Sequence, residues 1–286
     1  MPLPKPYRPY FDCNLQYWIL TSYHDVRLAL EDPRFSISPV PMDEALHTAA
    51  LRAAMTAFDL GAWTQDLPSI PFALEKNELV AEVAEPWCHA AALRLVGLQD
   101  DNGRLLCLSQ RAFAAGARPW NALDANASME LAALLPPVLG PVTTQAFIAV
   151  SQTLTAFLTN AWAMLLEQRL REAPLEELLR VAGPSQLQFR YFEGLKIALS
   201  LYAANRDPDR FGANAGRIDP SRDAKGHLAF GMGAHACLGA MLVRTAARIV
   251  MPLFAQHYGG ATLTAVEMPE EPVAIRKPIA VRIALP

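Results

Sequence analysis

The chain has 286 residues, 52% hydrophobic and 19% charged, a composition that builds a packed core and excludes a disordered polyelectrolyte. Its 25 Lys and Arg against 28 Asp and Glu leave a formal charge of -3, so no excess positive charge is available for a phosphate backbone or an anionic membrane, and nucleic acid is not an expected partner. The cysteines, Cys13, Cys88, Cys107 and Cys237, are too sparse for a disulfide framework and point to a reducing cytoplasm.

The N-terminus has no apolar leader core, and prolines at 2, 4, 6 and 9 predict an extended arm. Tyr17–Leu20 reads as a short strand and residues 24–30 as a helix stopped before Asp32-Pro33. Helical periodicity covers residues 45–58, 79–96 and 103–115, separated by Pro68, Pro71, Asp100-Asp101-Asn102 and Pro119. Residues 131–166 carry no charge at all. That is long enough to cross a bilayer, which takes about 20 apolar residues. Its many Thr, Ser, Gln and Asn residues and Pro136, Pro137 and Pro141 instead favour the buried centre of a large soluble protein, with a central helix from about 141 to 170 and no membrane span. A helix over 174–180 ends at Gly183-Pro184. Residues 195–204 fit a strand or a helix, 205–227 an ordered irregular loop, 238–257 a last helix, and 273–285 terminal strands. With no internal repeat and no low-complexity linker, residues 1–286 are expected to form one domain.

The densest chemical signal is Phe230-Gly-Met-Gly-Ala-His-Ala-Cys-Leu-Gly-Ala240, one thiol between glycines at the start of a helix. Free amides and the positive dipole end stabilise an anion there, so Cys237 is expected as a thiolate, fit to act as nucleophile or metal ligand. Gly231, Gly233 and Gly239 leave room for a flat or bulky group to approach the backbone. Gly231-x-Gly233-x-x-Ala236 also matches a dinucleotide fingerprint, but that motif needs an acid about 20 residues on, and none occurs between Ala224 and Val266. An inert buried cysteine at a helix cap is the other plain alternative for an isolated Cys.

These residues resemble the cytochrome P-450 superfamily, haem-thiolate monooxygenases whose loop reads Phe-x-x-Gly-x-His/Arg-x-Cys-x-Gly. Here it is Phe230, Gly233, His235, Cys237 and Gly239, continued by Leu238-Gly-Ala-Met-Leu-Val-Arg244 in the manner of bacterial members. His227-Leu-Ala-Phe-Gly231, Ala203-Ala-Asn-Arg-Asp-Pro208 and Glu177-Leu-Leu-Arg180 are similar to family segments, as, more weakly, are residues 18–36 and 79–86. The resemblance implies a mainly α fold with small β-sheets and one haem-binding domain. It implies heme b (iron protoporphyrin IX) on Cys237, with Phe230, Gly231, His235, Leu238 and Gly239 around it. Arg190 and His235 would donate to the haem propionates, and guanidinium suits that bidentate geometry. Glu177 and Arg180, one helical turn apart, would buttress the loop with Arg217, or alternatively Arg222, as third member. His47 and Arg52 are similar to the family's His-x-x-x-Arg propionate pair with one residue more between them, and a solvated helix face is an equal reading.

Two departures stand out. The oxygen-activating turn, Ala/Gly-Gly-x-Asp/Glu-Thr-Thr/Ser, aligns with Leu139-Gly-Pro-Val-Thr-Thr144, making Thr143 and Thr144 the candidate catalytic alcohols. Val142 then replaces the proton-relaying acid. The alternative role for Thr143 is only to bond the backbone of a buried helix. The chain is also short for the family, with too little sequence after Ala115 for the usual lid helices and a strand hairpin between Arg190 and Ala203 nearly absent, so the distal side is expected to be open. The expected function is a cytoplasmic bacterial monooxygenase acting on a small-molecule or carrier-bound substrate with a ferredoxin-type electron donor, with a homo-oligomer as one way of covering the distal face. A peroxide-dependent or non-oxidative haem-thiolate enzyme and a haem-binding helper protein are the alternatives.

Overall fold

The computed structural model describes residues 8–40, 44–71, 73–99, 102–119, 126–271 and 273–286, excluding the side chains of residues 44–47. Strands β1 (Tyr10–Asp12) and β2 (Tyr17–Leu20) lead into α1 (Tyr23–Glu31), capped by the Ser22 hydroxyl, which accepts from the Asp25 amide. Helices α2 (Glu44–Thr56) and α3 (Leu60–Gln65) follow; a π-turn over Val80–Ala84 then opens α4 (Glu85–Leu95), and α5 (Arg104–Ala117) and α6 (Ala127–Leu134) come next. A 3-10 turn at Gly140–Val142 starts the central helix, made of α7 (Thr143–Ile148), a second π-turn over Ala149–Thr153, and α8 (Leu154–Glu167). The rest is α9 (Leu175–Ala182), β3 (Leu187–Phe192), β4 (Leu195–Ser200), the short α10 (Leu201–Ala204) and α11 (Pro208–Phe211), α12 (Ala240–Tyr258), β5 (Thr262–Glu267) and β6 (Ala280–Ala284).

The charge-free stretch is buried because it has no face to give to water. Ala156, Phe157, Leu158, Ala161 and Leu165 are at most 1% exposed, and Trp162 stacks on Phe254 of α12 at 4.7 Å between centroids. Each large side chain removed from water this way contributes roughly 1.5–3 kcal/mol. The polar residues of this helix sit in the core by returning their hydroxyls to the backbone: Thr155 donates to the Ser151 carbonyl and Thr159 to the Thr155 carbonyl, both at 2.8 Å. Among the described residues no helix is long and apolar enough to cross a membrane.

One sheet has the order β1-β2-β4-β3, with β2 and β4 parallel and the outer pairs antiparallel; β5 and β6 form a second, two-stranded sheet. The expectation of a nearly absent hairpin after Arg190 is corrected here. Leu187 to Phe192 pairs fully with Leu195 to Ser200, because Glu193 and Gly194 both take positive φ (48° and 80°) and close the hairpin with two residues. Residues 195–204 are both strand and helix, with Ser200 capping α10 through the Ala203 amide. The expected extended arm lies outside the described residues up to Arg8; beyond it, Tyr10–Asp12 pairs with β2. Only Ala280–Ala284 of the expected terminal strands is one, and its partner β5 was not anticipated, nor were α3, α6 and α11.

Candidate functional site

The loop before α12 is held by packing that only glycine permits at two points. Gly233 has φ +72°, and a Cβ there would lie 2.5 Å from the Leu30 carbonyl oxygen at the end of α1. Gly231 has φ +64°, and its absent Cβ makes room for the Gln188 amide of β3 at 3.1 Å. The Cys237 amide donates to the Phe230 carbonyl at 2.8 Å, closing the loop on itself. Arg52 on α2 donates to the carbonyls of Gly233 and Ala234 at 3.3 and 2.9 Å. Arg244 on α12 forks onto Glu176 at 2.8 Å through both Nε and Nη2, and its guanidinium lies over the Phe230 ring at 4.6 Å. His227 Nε2 completes this group 2.9 Å from Glu176.

Behind the loop, Glu177 and Arg180 form a fully enclosed pair on α9, with Nε–Oε2 and Nη2–Oε1 both at 2.7 Å. Arg180 also donates to the carbonyls of Asn205 and Ala215, and Glu177 accepts from the Asp219 amide at 2.9 Å, so the pair fastens the irregular segment that leads into the cysteine loop. The third member is Arg222, whose Nη1 is 2.6 Å from Glu177 Oε1. Arg217, the first choice from sequence, is exposed and offers only its backbone carbonyl.

Cys237 stands on the wall of a cavity of about 500 Å³, with Phe230, His235, Leu238 and Gly239 beside it and Ala146, Ala149, Val150, Thr153 and Phe157 of the central helix among the other lining residues. The thiol is exposed toward this space, yet the protein around it desolvates it. That burial raises its pKa above the ordinary value, outweighing the amides of Gly239 and Ala240 and the charge of Arg244. A metal cation bound by this sulfur would take the proton's place. Among the described residues no three His, Cys, Asp or Glu side chains come together. A single thiol among glycines on the apolar wall of such a cavity fits haem.

The other predicted residues divide. His235 is on the wall; Arg190, 4% exposed, donates to the Phe189 carbonyl at 2.8 Å and to Gln188 Oε1 at 3.4 Å, and of these Gln188 lines the cavity. His47 belongs to α2, but its side chain lies outside the described residues. Thr143 and Thr144 do not line the cavity. The Thr143 hydroxyl is committed to the helix start, accepting from the Leu139 amide at 3.0 Å and donating to the Gly140 carbonyl at 2.9 Å. Thr153, in the π-turn and not picked out by the motif alignment, is the hydroxyl residue of the central helix that lines the cavity; Thr48 and Ser185 line it from elsewhere in the chain. Ala149-Val-Ser-Gln-Thr153 carries the Ala, the small-polar spacing and the Thr of the oxygen-activating turn, with Gln152 where the acid belongs. The adjacent threonines at 143–144 lie ten residues earlier, among residues that do not line the cavity.

The comparisons agree with this geometry. No protein-family model matches the chain. Curated relatives include cytochrome P450 105C1 of a Streptomyces species, 37% identical over 34% of this chain, and biflaviolin synthase CYP158A1 of Streptomyces coelicolor, 35% identical over 46% of it. A biotin biosynthesis cytochrome P450 of Bacillus subtilis is 32% identical over 44% of the chain. The matched stretch spans only 28–38% of the length of these relatives. Among solved structures, the haem domain of CYP116B5 from Acinetobacter radioresistens superposes with a TM-score of 0.77 at 19% identity, covering 97% of this chain and 91% of that one. P450BioI in complex with a hexadecenoic acid-ligated acyl carrier protein superposes with a TM-score of 0.74 at 22% identity, covering 97% and 94%. Fold and cysteine loop together are similar to those of haem-thiolate proteins. Over the matched stretches the chain is similar to cytochrome P450s, and its fold is that of the cytochrome P450 structures.

Proposed function

We propose that this protein is a haem-thiolate oxidoreductase that oxygenates a small organic or biosynthetic substrate, as a single haem-binding unit in the cytoplasm. The observation that carries the reading is the Cys237 thiol on the wall of an apolar cavity that Thr153 of the central π-turn also lines. Heme b bound through that sulfur would supply oxygen activation, the thiolate pushing electron density toward O–O cleavage. Cys237 would hold the iron, the amides of Gly239 and Ala240 would steady its sulfur, and Phe230 and Leu238 would bracket the ring. His235 on the wall, Arg190 beside Gln188, Arg52 at the loop carbonyls and His47 on the same helix as Arg52 are the groups proposed to meet the propionates.

On the substrate side, the Thr153 hydroxyl of the central helix is the group proposed to hold a water or pass a proton into the cavity. Gln152 has no acidic proton to give, and its amide is turned to other partners. That substitution favours, as second reading, use of hydrogen peroxide, which arrives already reduced and protonated. Pro141 and Gln145 on the rim are exposed, which supports a substrate presented from outside, including one carried on a protein, as in the acyl carrier protein complex of P450BioI. A ferredoxin-type donor is the proposed electron source. The test is turnover of a carrier-linked acyl substrate by purified protein with ferredoxin and reductase or with peroxide. Product from either supports the enzyme reading, product from peroxide alone selects the second, and ligand-free haem binding without product from either would leave only a haem-binding protein.

A further inference from the structure

One side chain ties together the two π-turns of this fold. Glu85 follows the first turn and closes it, its amide donating to the Val80 carbonyl. Gln152 lies in the second and is fully buried. Lys277, from the segment that leads into β6, sets its Nζ 2.8 Å from Glu85 Oε1 and 2.7 Å from Gln152 Oε1. The other end of the Gln152 amide is also used: Nε2 donates to Ser109 Oγ of α5 at 3.1 Å. Gln110 steadies Glu85 through a 2.9 Å bond from its Nε2. Lys277 and Glu85 are 15% and 17% exposed, so the pair is largely withdrawn from water.

A π-turn carries one residue more than an α-turn, and such distortions persist where side chains over-determine them. Reversion to α-helix would remove that extra residue from the turn and rotate one end of the central helix against the other by about 100°. The Gln152 amide would then lose both partners, and Thr153 would leave the cavity wall. We propose that Lys277, acting through Gln152, fixes the π register of the central helix and thereby positions Thr153 at the cavity beside Cys237. Lys277 and Ser109 are positioning residues, since neither lines that cavity. The inference rests on the reading of Thr153 as the functional hydroxyl, while its test reads the backbone.

Amide hydrogen exchange on the full chain tests it, with K277M, K277R and S109A compared with the unaltered protein. K277M should speed exchange at residues 153–155 by tenfold or more and leave residues 161–166 and α12 unchanged. K277R should restore protection to within about twofold of the unaltered chain, because a guanidinium can donate to both Glu85 and Gln152. S109A should speed the same amides by a few fold. In turnover, K277M should release more peroxide per electron consumed, and adding T153V to K277M should bring no further change, the non-additivity expected of residues acting through one another. Unchanged exchange at 153–155 in K277M, or loss spread evenly over α7, α8 and α12 without rescue by K277R, would overturn the proposal. If K277M does not fold, S109A decides: a local increase supports the clamp and no increase refutes it. Local exchange changes in a protein that forms no thiolate haem spectrum would sustain the clamp and remove the haem reading, so the two failures are distinguishable.

Discussion

Arg222 Nη1 lies 2.6 Å from Glu177 Oε1, against the enclosed ion pair that Glu177 makes with Arg180. A carboxylate withdrawn from water needs this much compensation, and taking away one partner of a buried pair costs about 3–5 kcal/mol. Arg222→Ala should therefore lower the unfolding free energy by about 3 kcal/mol. Arg217→Ala, which removes an exposed side chain and keeps the carbonyl, should stay within about 0.5 kcal/mol. Urea unfolding of the two variants checks this, and equal losses would return the third place to Arg217.

The two threonine positions make opposite predictions. Thr153→Val should leave folding nearly intact and reduce the coupling of electrons to product by at least about tenfold, the lower side of what a proton-transfer group contributes. Thr143→Val removes a helix-start hydroxyl and should cost about 1 kcal/mol in stability with coupling unchanged. Gln152→Glu should shift turnover from peroxide toward dioxygen. Val142→Asp, at a position 6% exposed, should destabilise the protein without that gain. Measurement of product formed per electron, beside thermal melts, separates all four; a coupling loss in Thr143→Val and none in Thr153→Val would restore the earlier placement of the turn.

The cluster beside the cysteine loop makes the protein acid-sensitive. Hydrogen bonding by Arg244 holds Glu176 well below its ordinary 4.5, at about 2, while burial lowers His227 below its ordinary 6.5 in spite of the same carboxylate. Both groups are depressed in the folded state, so both contribute stability that is present at neutral pH and lost on acidification. His227 contributes to the loss as pH falls below 6.5, and Glu176 as it falls from 4.5 toward about 2. Glu176→Gln should flatten the lower part of the stability profile, and His227→Gln the upper part. A profile with the same slope in Glu176→Gln as in the unaltered chain contradicts this account.

The cysteine side of the site was legible because its constraints are local. Gly233 has to be glycine where the loop crosses the Leu30 carbonyl, and Phe230, His235 and Cys237 fall at fixed spacings from it. The central helix was legible as a buried element for a similarly local reason, the absence of charge over 131–166. Its π-turn was not, because backbone register depends on contacts distant in sequence, and Gln152 there meets Ser109 and Lys277, 43 and 125 positions away. Arg222 was second choice for the same reason: only the folded path of residues 205–222 brings it, and not Arg217, against Glu177. The β3–β4 hairpin is hard to see in so short a segment because a two-residue turn at Glu193-Gly194 lets a complete hairpin fit in little sequence.

The central claim is that Cys237 alone supplies the protein's ligand to haem iron. The absorption spectrum of the reduced, carbon monoxide-bound protein tests it most directly, on the unaltered chain and on Cys13→Ser, Cys88→Ser, Cys107→Ser and Cys237→Ala. The account predicts a red-shifted thiolate-type Soret band in the unaltered chain and the first three variants, and its loss in Cys237→Ala alone. A thiolate band that survives Cys237→Ala, or that disappears with one of the other three cysteines, would contradict it.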